Sequence, residues 1–452
     1  MPSLYSNLFY DRAFEFFEVR PVLEALLGFE KALARVQSRQ GLIPPPAAGA
    51  IEILCSYESI NRERLMEESA RSGNILIPLL GQCRQLLAGH PSEAAGYLHF
   101  LATSQDAIDT AAMIQYKKAT AWINLNLRPL ITGLVEIAEM HRHTPMAGRT
   151  FMQHARPITF GFKVAGWIDG LLMVSEGLRF LKFPLQLGGS VGTAPGYSVK
   201  QYEEVSSGLS RELGLDLPVK PWHNQRQYIH TMAHQLGALQ GHLNKMATDL
   251  SLLAQNEVGE ISFDGKDKGH SSIMPHKTNP VNAILILANG LRIQAIAYSL
   301  SNTLTQDHER GSGPWHAEWE SMEDLFRLVA GSLRLSIEMI GEIRVNKERM
   351  LKNIDDGGGL VFAEHVSRML SLKLNTEEAQ ALVRSFSTRV RSTGESLQAL
   401  LLKEESLRHL FSEKEISSWF EIENNLGLCD YFTGKMINRA KDLLSRKFKT
   451  KS

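Results

Sequence analysis

The amino-acid sequence predicts an all-α protein built around a bundle of long helices. Apolar residues recur at alternating steps of three and four over long stretches, which is the spacing of one face of an α-helix. The alternation of apolar and polar residues that marks a half-buried strand is scarce. A hydrophobic content of 43% in 452 residues suits a large buried core. We therefore expect a globular helical protein of two or three domains.

Four apolar stripes mark the long helices. The longest runs without a break through Ile229, Met232, Leu236, Leu239, Leu243, Met246, Leu250 and Leu253. The others comprise Ile123, Leu127, Leu130, Leu134 and Ile137; Ile284, Leu287, Leu291, Ala295 and Tyr298; and Met322, Phe326, Val329, Leu333, Ile337 and Ile340. Each stripe is interpreted as core packing. Helices of about 30 residues would be about 45 Å long, which suits a bundle shared between subunits.

Breaks in the helical pattern divide the chain into three parts. Residues 1–110 predict an N-terminal domain of shorter helices, and residues 111–357 contain the long-helix bundle. Residues 358–452 predict a C-terminal domain of short helices. The second boundary follows two aspartates and three glycines at 355–359, a composition typical of a turn or hinge.

Charge and cysteine content exclude several classes of protein. Lysine plus arginine and aspartate plus glutamate both number 49, so the chain lacks the basic surplus of a nucleic-acid-binding protein. Three isolated cysteines argue against a disulfide framework and favour a reducing, cytoplasmic setting.

We expect no membrane span, because no apolar run reaches about 18 residues. No motif has metal-ligand or nucleotide-loop spacing, so neither metal nor cofactor is expected.

One polar segment between two predicted helices concentrates chemically useful side chains. Residues 269–280 contain two serines, a lysine and an asparagine, and a helix is predicted to begin after Pro280. Such a loop can close over an anionic substrate. From composition alone, an ordinary polar loop is an equally good interpretation.

The pattern Ser-Ser-x-Met-Pro-x-Lys-x-Asn-Pro in this segment resembles the signature of the fumarase/aspartase superfamily. The resemblance implies a three-part helical fold whose central bundle assembles into a homotetramer with shared active sites. It implies that Ser271 acts as general base, with Lys277 and Asn279 binding and polarising a carboxylate. Separately, the glycines at 265 and 269 and the polar composition of the segment predict a mobile loop from about residue 266 to 278.

A second segment, residues 99–106, resembles the Thr-Ser-x-Asp stretch of the same superfamily. By that resemblance, His99, Thr103 and Ser104 belong to the substrate-binding site, and Asp106 orients the two hydroxyl groups. The alternative is a helix N-cap at Thr103 or Ser104 with Asp106 in the first turn. Both interpretations can hold, because a helix N-terminus binds anions.

A third segment separates branches of the superfamily. In its amino-acid and purine lyases, a threonine is followed directly by the histidine that acts as general acid. Here Phe151 follows Thr150, and Gln153 and His154 come later. This arrangement resembles the bacterial 3-carboxy-cis,cis-muconate cycloisomerases, as do segments 221–226, 306–310 and 315–320. The resemblance implies that Gln153 and Arg310 bind substrate and that His154 or Ser271 transfers the proton.

Three residues depart from the pattern of these relatives. His270 replaces the glycine that usually precedes the paired serines, Thr278 stands where close relatives tend to carry arginine, and Phe151 stands where they tend to carry tryptophan. A lost cation at Thr278 would alter recognition of one carboxylate. The three changes leave room for a different substrate.

The resemblance implies that the chain converts 3-carboxy-cis,cis-muconate to a carboxymuconolactone, an intramolecular lyase step in aromatic catabolism through protocatechuate. Such an enzyme binds three carboxylates and stabilises an enolate-like state. Two alternatives remain at this point. One is a C–N or related lyase of the same superfamily acting on a succinyl-type substrate, and the other is a catalytically silent helical scaffold.

Overall fold

The computed structural model describes residues 4–264, 269, 274 and 277–446, and it is mainly helical, which confirms the all-α class. Eighteen α-helices lie in these described residues: α1 (Ser6–Phe9), α2 (Val19–Arg39), α3 (Pro45–Leu54), α4 (Arg62–Ser72), α5 (Leu76–Leu87), α6 (Ser104–Met140), α7 (Phe160–Arg179), α8 (Val199–Leu213), α9 (Gln227–Leu253), α10 (Val281–Asn302), α11 (Pro314–Glu342), α12 (Lys347–Asp355), α13 (Ala363–Leu370), α14 (Thr376–Thr393), α15 (Leu397–Lys403), α16 (Glu405–Arg408), α17 (Glu413–Ser418) and α18 (Cys429–Ser445).

Two short antiparallel strand pairs accompany the helices in the described residues. Strand β1 (Pro145–Thr150) pairs with β2 (Gln153–Thr159), and β3 (Ile261–Phe263) pairs with β4 (Ile343–Val345). Both strand pairs lie beyond the ends of long helices, since β1 follows α6 and β4 follows α11. They are too small to change the helical character of the fold.

Five long helices between residues 104 and 342, α6, α7, α9, α10 and α11, form one bundle. Three of the four predicted apolar stripes are buried in it, on α6, α9 and α11. Polar contacts fix the direction of the helices: His230 Nε2 lies 3.3 Å from Thr303 Oγ1, whereas the Gln240 side chain reaches the carbonyl of Ile286. Helices α9 and α10 are therefore antiparallel.

The fourth stripe, on α10, does not pack inside the chain. Ile284, Leu291 and Tyr298 are 51%, 71% and 74% exposed, so the interpretation of this stripe as core within the chain is wrong. Only the opposite face of α10 packs on α9 and α11. The exposed residues are seven apart, which is the spacing of a helix face that packs along another helix at a shallow angle.

Helix α10 is also the one helix among the described residues that is long and apolar enough to cross a membrane by length and composition. One third of its most apolar window is buried inside the chain. Because this helix packs along α9 and α11 of the bundle, its apolar character is that of a core helix with one unpartnered face.

Two hydrophobic cores are present in the described residues. The larger joins the N-terminal helices, the long bundle and α18, whereas the smaller comprises Ala147 of β1 and apolar residues between 354 and 419. The C-terminal helix α18 thus returns to the bundle and packs against α6 and α7. The domain boundaries at 110 and 357 stay a prediction.

Candidate active site

The N-terminus of α6 is the first centre of polar contacts. Thr103 is the N-cap residue, and its backbone N–H donates to Asp106 Oδ2 at 3.0 Å. The backbone N–H groups of Gly188 and Gly189 donate to the same carboxylate, both at 2.9 Å, and His223 Nε2 lies 2.8 Å from Oδ1. Asp106 is fully buried. It therefore joins three segments that are far apart in the sequence.

The glycine turn beside Asp106 depends on close backbone approach. A Cβ on Gly188 would lie 2.7 Å from the Cβ of Pro221, and Gly189 has a φ of +66°. Residues with a side chain rarely adopt that conformation. The run 188–193 is thus a turn against the α6 N-terminus.

Arg310 brings a positive charge to this N-terminus. Its guanidinium donates to Gln105 Oε1 at 2.9 Å, to Thr103 Oγ1 at 3.1 Å and to the carbonyl of Ser190 at 3.0 Å. All three acceptors are neutral, and no carboxylate among the described residues pairs with Arg310. The charge of the guanidinium therefore adds to the positive end of the helix dipole, which favours an anionic ligand.

His99, near the start of α6, is paired with a buried carboxylate. Its Nδ1 lies 2.7 Å from Glu30 Oε1, and its backbone is held in the left-handed region at a φ of +62°. Burial alone would lower the pKa of His99, but the Glu30 carboxylate outweighs burial and raises the pKa. Because Glu30 is buried and acts as its partner, His99 contributes hydrogen bonding at the rim of the site more than net charge.

A buried ion cluster holds the helix ends that carry this centre. Arg226, at the start of α9, donates to both oxygens of Asp109 on α6 at 2.8 and 3.1 Å and to Glu318 on α11. Trp315 Nε1 donates to Asp109 Oδ1 at 2.9 Å. Removing one partner of such a buried network typically costs about 3–5 kcal/mol of stability. The cluster therefore locks α6, α9 and α11 together below Thr103 and Arg310.

The second centre is the hairpin tip that carries His154. Phe151 and Met152 form a two-residue turn with φ of +49° and +64°, and Phe151 is 99% exposed. His154 pairs across the hairpin with Arg149, whose guanidinium bonds Glu260 at 2.6 and 3.0 Å. Partial burial and the Arg149 charge lower the pKa of His154 below its usual value. Both effects favour the neutral imidazole over the imidazolium.

Lys277 and Asn279 lie just before α10. The backbone N–H and the side-chain amide of Asn279 both donate to the carbonyl of Gly269, at 2.9 and 3.0 Å. Lys277 is exposed. Ser271 and His270 lie outside the described residues, as does most of the segment expected to be mobile, so the role of Ser271 and the mobility of the segment stay predictions.

One chain cannot bring the two centres into contact. Thr103 and His154 are separated by α6, whose 37 residues span about 55 Å. Nine further residues lead from Met140 to Arg149, the strand partner of His154, and they extend at most about 32 Å. Even a hairpin folded straight back along α6 would leave a gap of roughly 20 Å between Thr103 and His154.

We call the two centres the first half-site (His99, Thr103, Ser104 and Arg310) and the second half-site (Gln153, His154, Lys277 and Asn279).

The residues of the second half-site all lie at the end of the bundle that is opposite to the first half-site. Glu260, which binds Arg149, directly precedes β3, and Asn282 at the start of α10 donates to Glu342 at the end of α11. The antiparallel α10 carries the chain back to Thr303 beside the first half-site. The described residues of the sequence-predicted site thus form two groups in the chain, one at each end of the bundle.

Sequence reasoning missed the residues that support both groups. Beside the first half-site, these supporting residues are Glu30, Asp109, His223 and Glu318. Beside the second half-site, they are Arg149 and Glu260. The sequence did contain one signal for this cluster, because Asp106 and Asp109 are three residues apart at the start of a helix that carries no other charged residue before Lys117. Charged residues on a buried face need partners. Arg226 in the segment 221–226 was the available cation.

The amino-acid sequence is similar to those of known lyases and cycloisomerases. The family model described as "Lyase" matches residues 66–295. The 3-carboxy-cis,cis-muconate cycloisomerase of Pseudomonas aeruginosa is 38% identical over 91% of this chain and 90% of its own length. The nitrosuccinate lyase of Streptomyces davaonensis is 34% identical over 86% of this chain and 84% of its own length.

A solved structure agrees with the sequence comparison. The crystal structure of the 3-carboxy-cis,cis-muconate lactonizing enzyme from Pseudomonas putida superposes with a TM-score of 0.89 at 34% identity. The alignment covers 98% of this chain and 100% of that one. The similarity therefore extends over both half-sites and over the C-terminal helices.

Proposed function

Because this chain belongs to the fumarase/aspartase superfamily, we propose that it is a cycloisomerase that converts 3-carboxy-cis,cis-muconate to a carboxymuconolactone. The observation that carries the proposal is the first half-site, where the partners of Arg310 among the described residues are all neutral and lie at a helix N-terminus. That arrangement suits a substrate with several carboxylates. The relatives that share the fold and about a third of the sequence are named for this activity.

The reaction needs anion stabilisation more than it needs a strong nucleophile. One substrate carboxylate oxygen bonds to the far carbon of a double bond conjugated with another carboxylate. The π electrons move towards that second carboxylate, and the carbon beside it then takes a proton, so substrate and product are isomers. Arg310 and the N–H groups at the start of α6 are fixed before substrate arrives, which is how a preorganised site stabilises developing negative charge.

We assign the proton transfer to His154. Ser271, in the segment 269–280, is the alternative proton-transfer residue that the family resemblance leaves open. The imidazole is exposed at the hairpin tip and its pKa is lowered in the free chain. A bound tricarboxylate beside the ring would favour the imidazolium and raise the pKa again. His154 would then be loaded with a proton when substrate is present.

We propose a homotetramer in which different chains supply the two half-sites. Their positions at opposite ends of α6 support this, as does the exposed apolar face of α10. The phenyl ring of Phe151 at the hairpin tip is a further apolar group that a neighbouring chain would cover. The free thiols of Cys55, Cys83 and Cys429 fit a cytoplasmic enzyme.

A second candidate is a lyase that splits a substituted succinate. The similarity to a nitrosuccinate lyase at 34% identity favours it. The phenyl ring at Phe151 opposes the amino-acid lyase type, since it cannot carry a proton where those lyases have histidine.

Steady-state rates with a panel of substrates test the proposal. The purified protein would be given 3-carboxy-cis,cis-muconate, adenylosuccinate and argininosuccinate, and absorbance would follow each reaction. We expect kcat/KM for the muconate to lie above 10⁴ M⁻¹s⁻¹, within the range of ordinary enzymes, and the two succinyl compounds to be inert. Preferred turnover of a succinyl compound would replace the proposal with the lyase, and no turnover at all would favour the silent scaffold.

A further inference from the structure

Glu30 on α2 is a buried carboxylate with one hydrogen-bond partner among the described residues. Its Oε1 lies 2.7 Å from Nδ1 of His99, and its Oε2 is buried without a partner. The thiols of Cys55 and Cys83 lie near Glu30, but neither bonds Oε2. A buried carboxylate is costly unless it is paired and hydrogen-bonded. The imidazole of His99 is therefore the group that balances Glu30.

The imidazole of His99 has one bonded nitrogen and one available nitrogen. Because an ionised carboxylate only accepts hydrogen bonds, the proton shared with Glu30 is on Nδ1 of the ring. No described residue bonds Nε2, and Nε2 is not one of the unbonded atoms that are sealed from solvent. The His99 side chain as a whole is 10% exposed. Nε2 is thus the ring nitrogen that a ligand can reach.

His99 lies one turn before the N-terminus of α6. The backbone N–H of Ala102 donates to the carbonyl of His99 at 3.3 Å, and the next residue, Thr103, is the N-cap of α6. The guanidinium of Arg310 donates to Thr103 Oγ1 at 3.1 Å. The accessible imidazole is therefore tied to the helix end at which the charge of Arg310 has neutral partners.

The backbone that carries His99 is held in a rare conformation. His99 and Leu101 have φ of +62° and +57°, which residues with side chains keep only where surrounding contacts hold them. Helix α2 supplies two such contacts, since Glu30 binds the His99 ring and Gln37 Nε2 donates to the carbonyl of Phe100 at 2.7 Å. Glu30 and Gln37 are seven residues apart, on one buried face of α2. This face therefore fixes the position of the segment before α6.

Three charged groups from three helices act on the His99 ring. Burial has the largest effect and lowers the pKa of His99, and the cation of Arg84 on α5 acts in the same direction. The carboxylates of Glu30 on α2 and Asp106 on α6 outweigh both and raise the pKa. The imidazolium, which donates from Nε2, therefore persists to higher pH than in an ordinary histidine and is lost as pH rises through the raised pKa.

We propose that Glu30 is a positioning residue of the first half-site. It holds Nδ1 of His99, so that Nε2–H points outward and donates to one carboxylate of the substrate beside Arg310. Glu30 itself touches no substrate and acts through His99. This role rests on the proposed function only in that the first half-site takes a substrate carboxylate, and it does not depend on which bond the enzyme makes or breaks.

Calorimetric titration of the full-length protein with propane-1,2,3-tricarboxylate from pH 6 to 9 tests this role. The probe has neither a double bond nor a leaving group, so its binding is measured apart from turnover. His99→Asn suits the left-handed backbone and keeps a donor towards Glu30 but lacks Nε2, so it should weaken binding by about 10- to 100-fold. Glu30→Gln keeps an acceptor for Nδ1 and removes the charge. It should weaken binding by about three- to tenfold and shift the alkaline loss of affinity to lower pH.

A double variant and a matched control separate positioning from a merely structural role. Because Glu30 acts through His99, Glu30→Gln with His99→Asn should bind no more weakly than His99→Asn alone. Glu24→Gln makes the same change on the exposed face of α2, where Glu24 pairs with Arg20, and it should leave affinity and pH profile unchanged. Protonation of the probe is the same for all variants, so differences between their profiles report the protein.

The ¹⁵N signals of the His99 ring test the pair without relying on the folding of Glu30→Gln. These signals are assigned by their loss in His99→Asn, and in the parent protein both nitrogens should stay protonated to higher pH than those of the exposed His143. A His99 ring that loses its proton at the pH of an ordinary histidine would overturn the proposal. So would a parent protein that does not bind the tricarboxylate, a His99→Asn variant that binds it equally well, or additive losses in the double variant.

Discussion

At the scale of single residues, Arg310 carries the substrate-binding argument. Arg310→Gln keeps a polar side chain but removes the charge, so we expect KM to rise by about 10- to 100-fold, the size of a lost charge-assisted hydrogen bond. The fall in kcat should be smaller. Arg20→Gln is the control, since Arg20 is exposed on α2 and pairs with Glu24 and Glu58. An unchanged KM in Arg310→Gln would remove this residue from the site.

His154 carries the proton-transfer argument. His154→Ala should lower kcat by about 10²–10⁴, the usual contribution of general acid–base catalysis, and adding Phe151→His should not restore it. The exposed His143 provides the control His143→Ala, which should keep full activity. If His154→Ala instead raised KM and left kcat within a few-fold, His154 would be a binding residue.

The pH dependence gives an independent test of His154. The pKa of the imidazole in the free chain lies below its usual value, so the protonated acid is lost as pH rises through a value under about 6.5. We therefore expect kcat/KM, which reports the free enzyme, to fall on the alkaline side from that pH. The profile of kcat should extend to higher pH, because bound carboxylates favour the imidazolium. Coincident profiles, or profiles that His154→Ala leaves unaltered, would favour Ser271.

Residue-scale prediction from sequence succeeded where a local rule applies. An N-cap at Thr103 or Ser104 with Asp106 in the first turn was one interpretation of the sequence, and the structure has Thr103 as the N-cap of α6. The contacts of Asp106 with Gly188, Gly189 and His223 were not predictable, because no local pattern says which distant backbone groups a buried carboxylate meets. Ser271 lies outside the described residues, and its role rests on resemblance.

At the scale of elements, periodicity predicted which helices exist but not what covers each face. The stripe on α9 is buried as predicted, whereas the stripe on α10 is exposed. An apolar stripe predicts only that this face of the helix is buried. It does not distinguish a neighbour in the same chain from one in another chain, and that distinction required the assembled positions of α9, α10 and α11.

The packing of α11 can be tested with two glycines of the same helix. A Cβ on Gly331 would lie 1.7 Å from the carbonyl oxygen of Phe9, whereas a Cβ on Gly341 would meet nothing within 4 Å. Gly331→Ala should therefore destabilise the protein by about 1–3 kcal/mol, the usual cost of overpacking. Gly341→Ala should be neutral or stabilise by up to about 1 kcal/mol. Calorimetry would show a lower Tm for the first variant only, and equal Tm values would contradict the packing described here.

At the scale of the whole molecule, the separation of the half-sites predicts complementation between inactive chains. Arg310→Gln and His154→Ala damage different half-sites, so mixed oligomers should contain some intact sites. Random mixing in equal amounts should restore about a quarter of the wild-type activity at low substrate, since each of two chains must be the right one. Light scattering should show a tetramer. No recovery after demonstrated exchange of subunits would mean that each chain forms its own site.

The identity of the product tests the central claim most directly. Purified protein would be incubated with 3-carboxy-cis,cis-muconate in an NMR tube, and the spectrum followed until the vinyl signals of the substrate change no further. A cycloisomerase must give one lactone that is an isomer of the substrate, with no second molecule released and with one new C–H bond that takes deuterium when the solvent is D₂O. Release of a second fragment from this substrate, or an unchanged spectrum beside release of fumarate from a succinyl compound, would contradict the account.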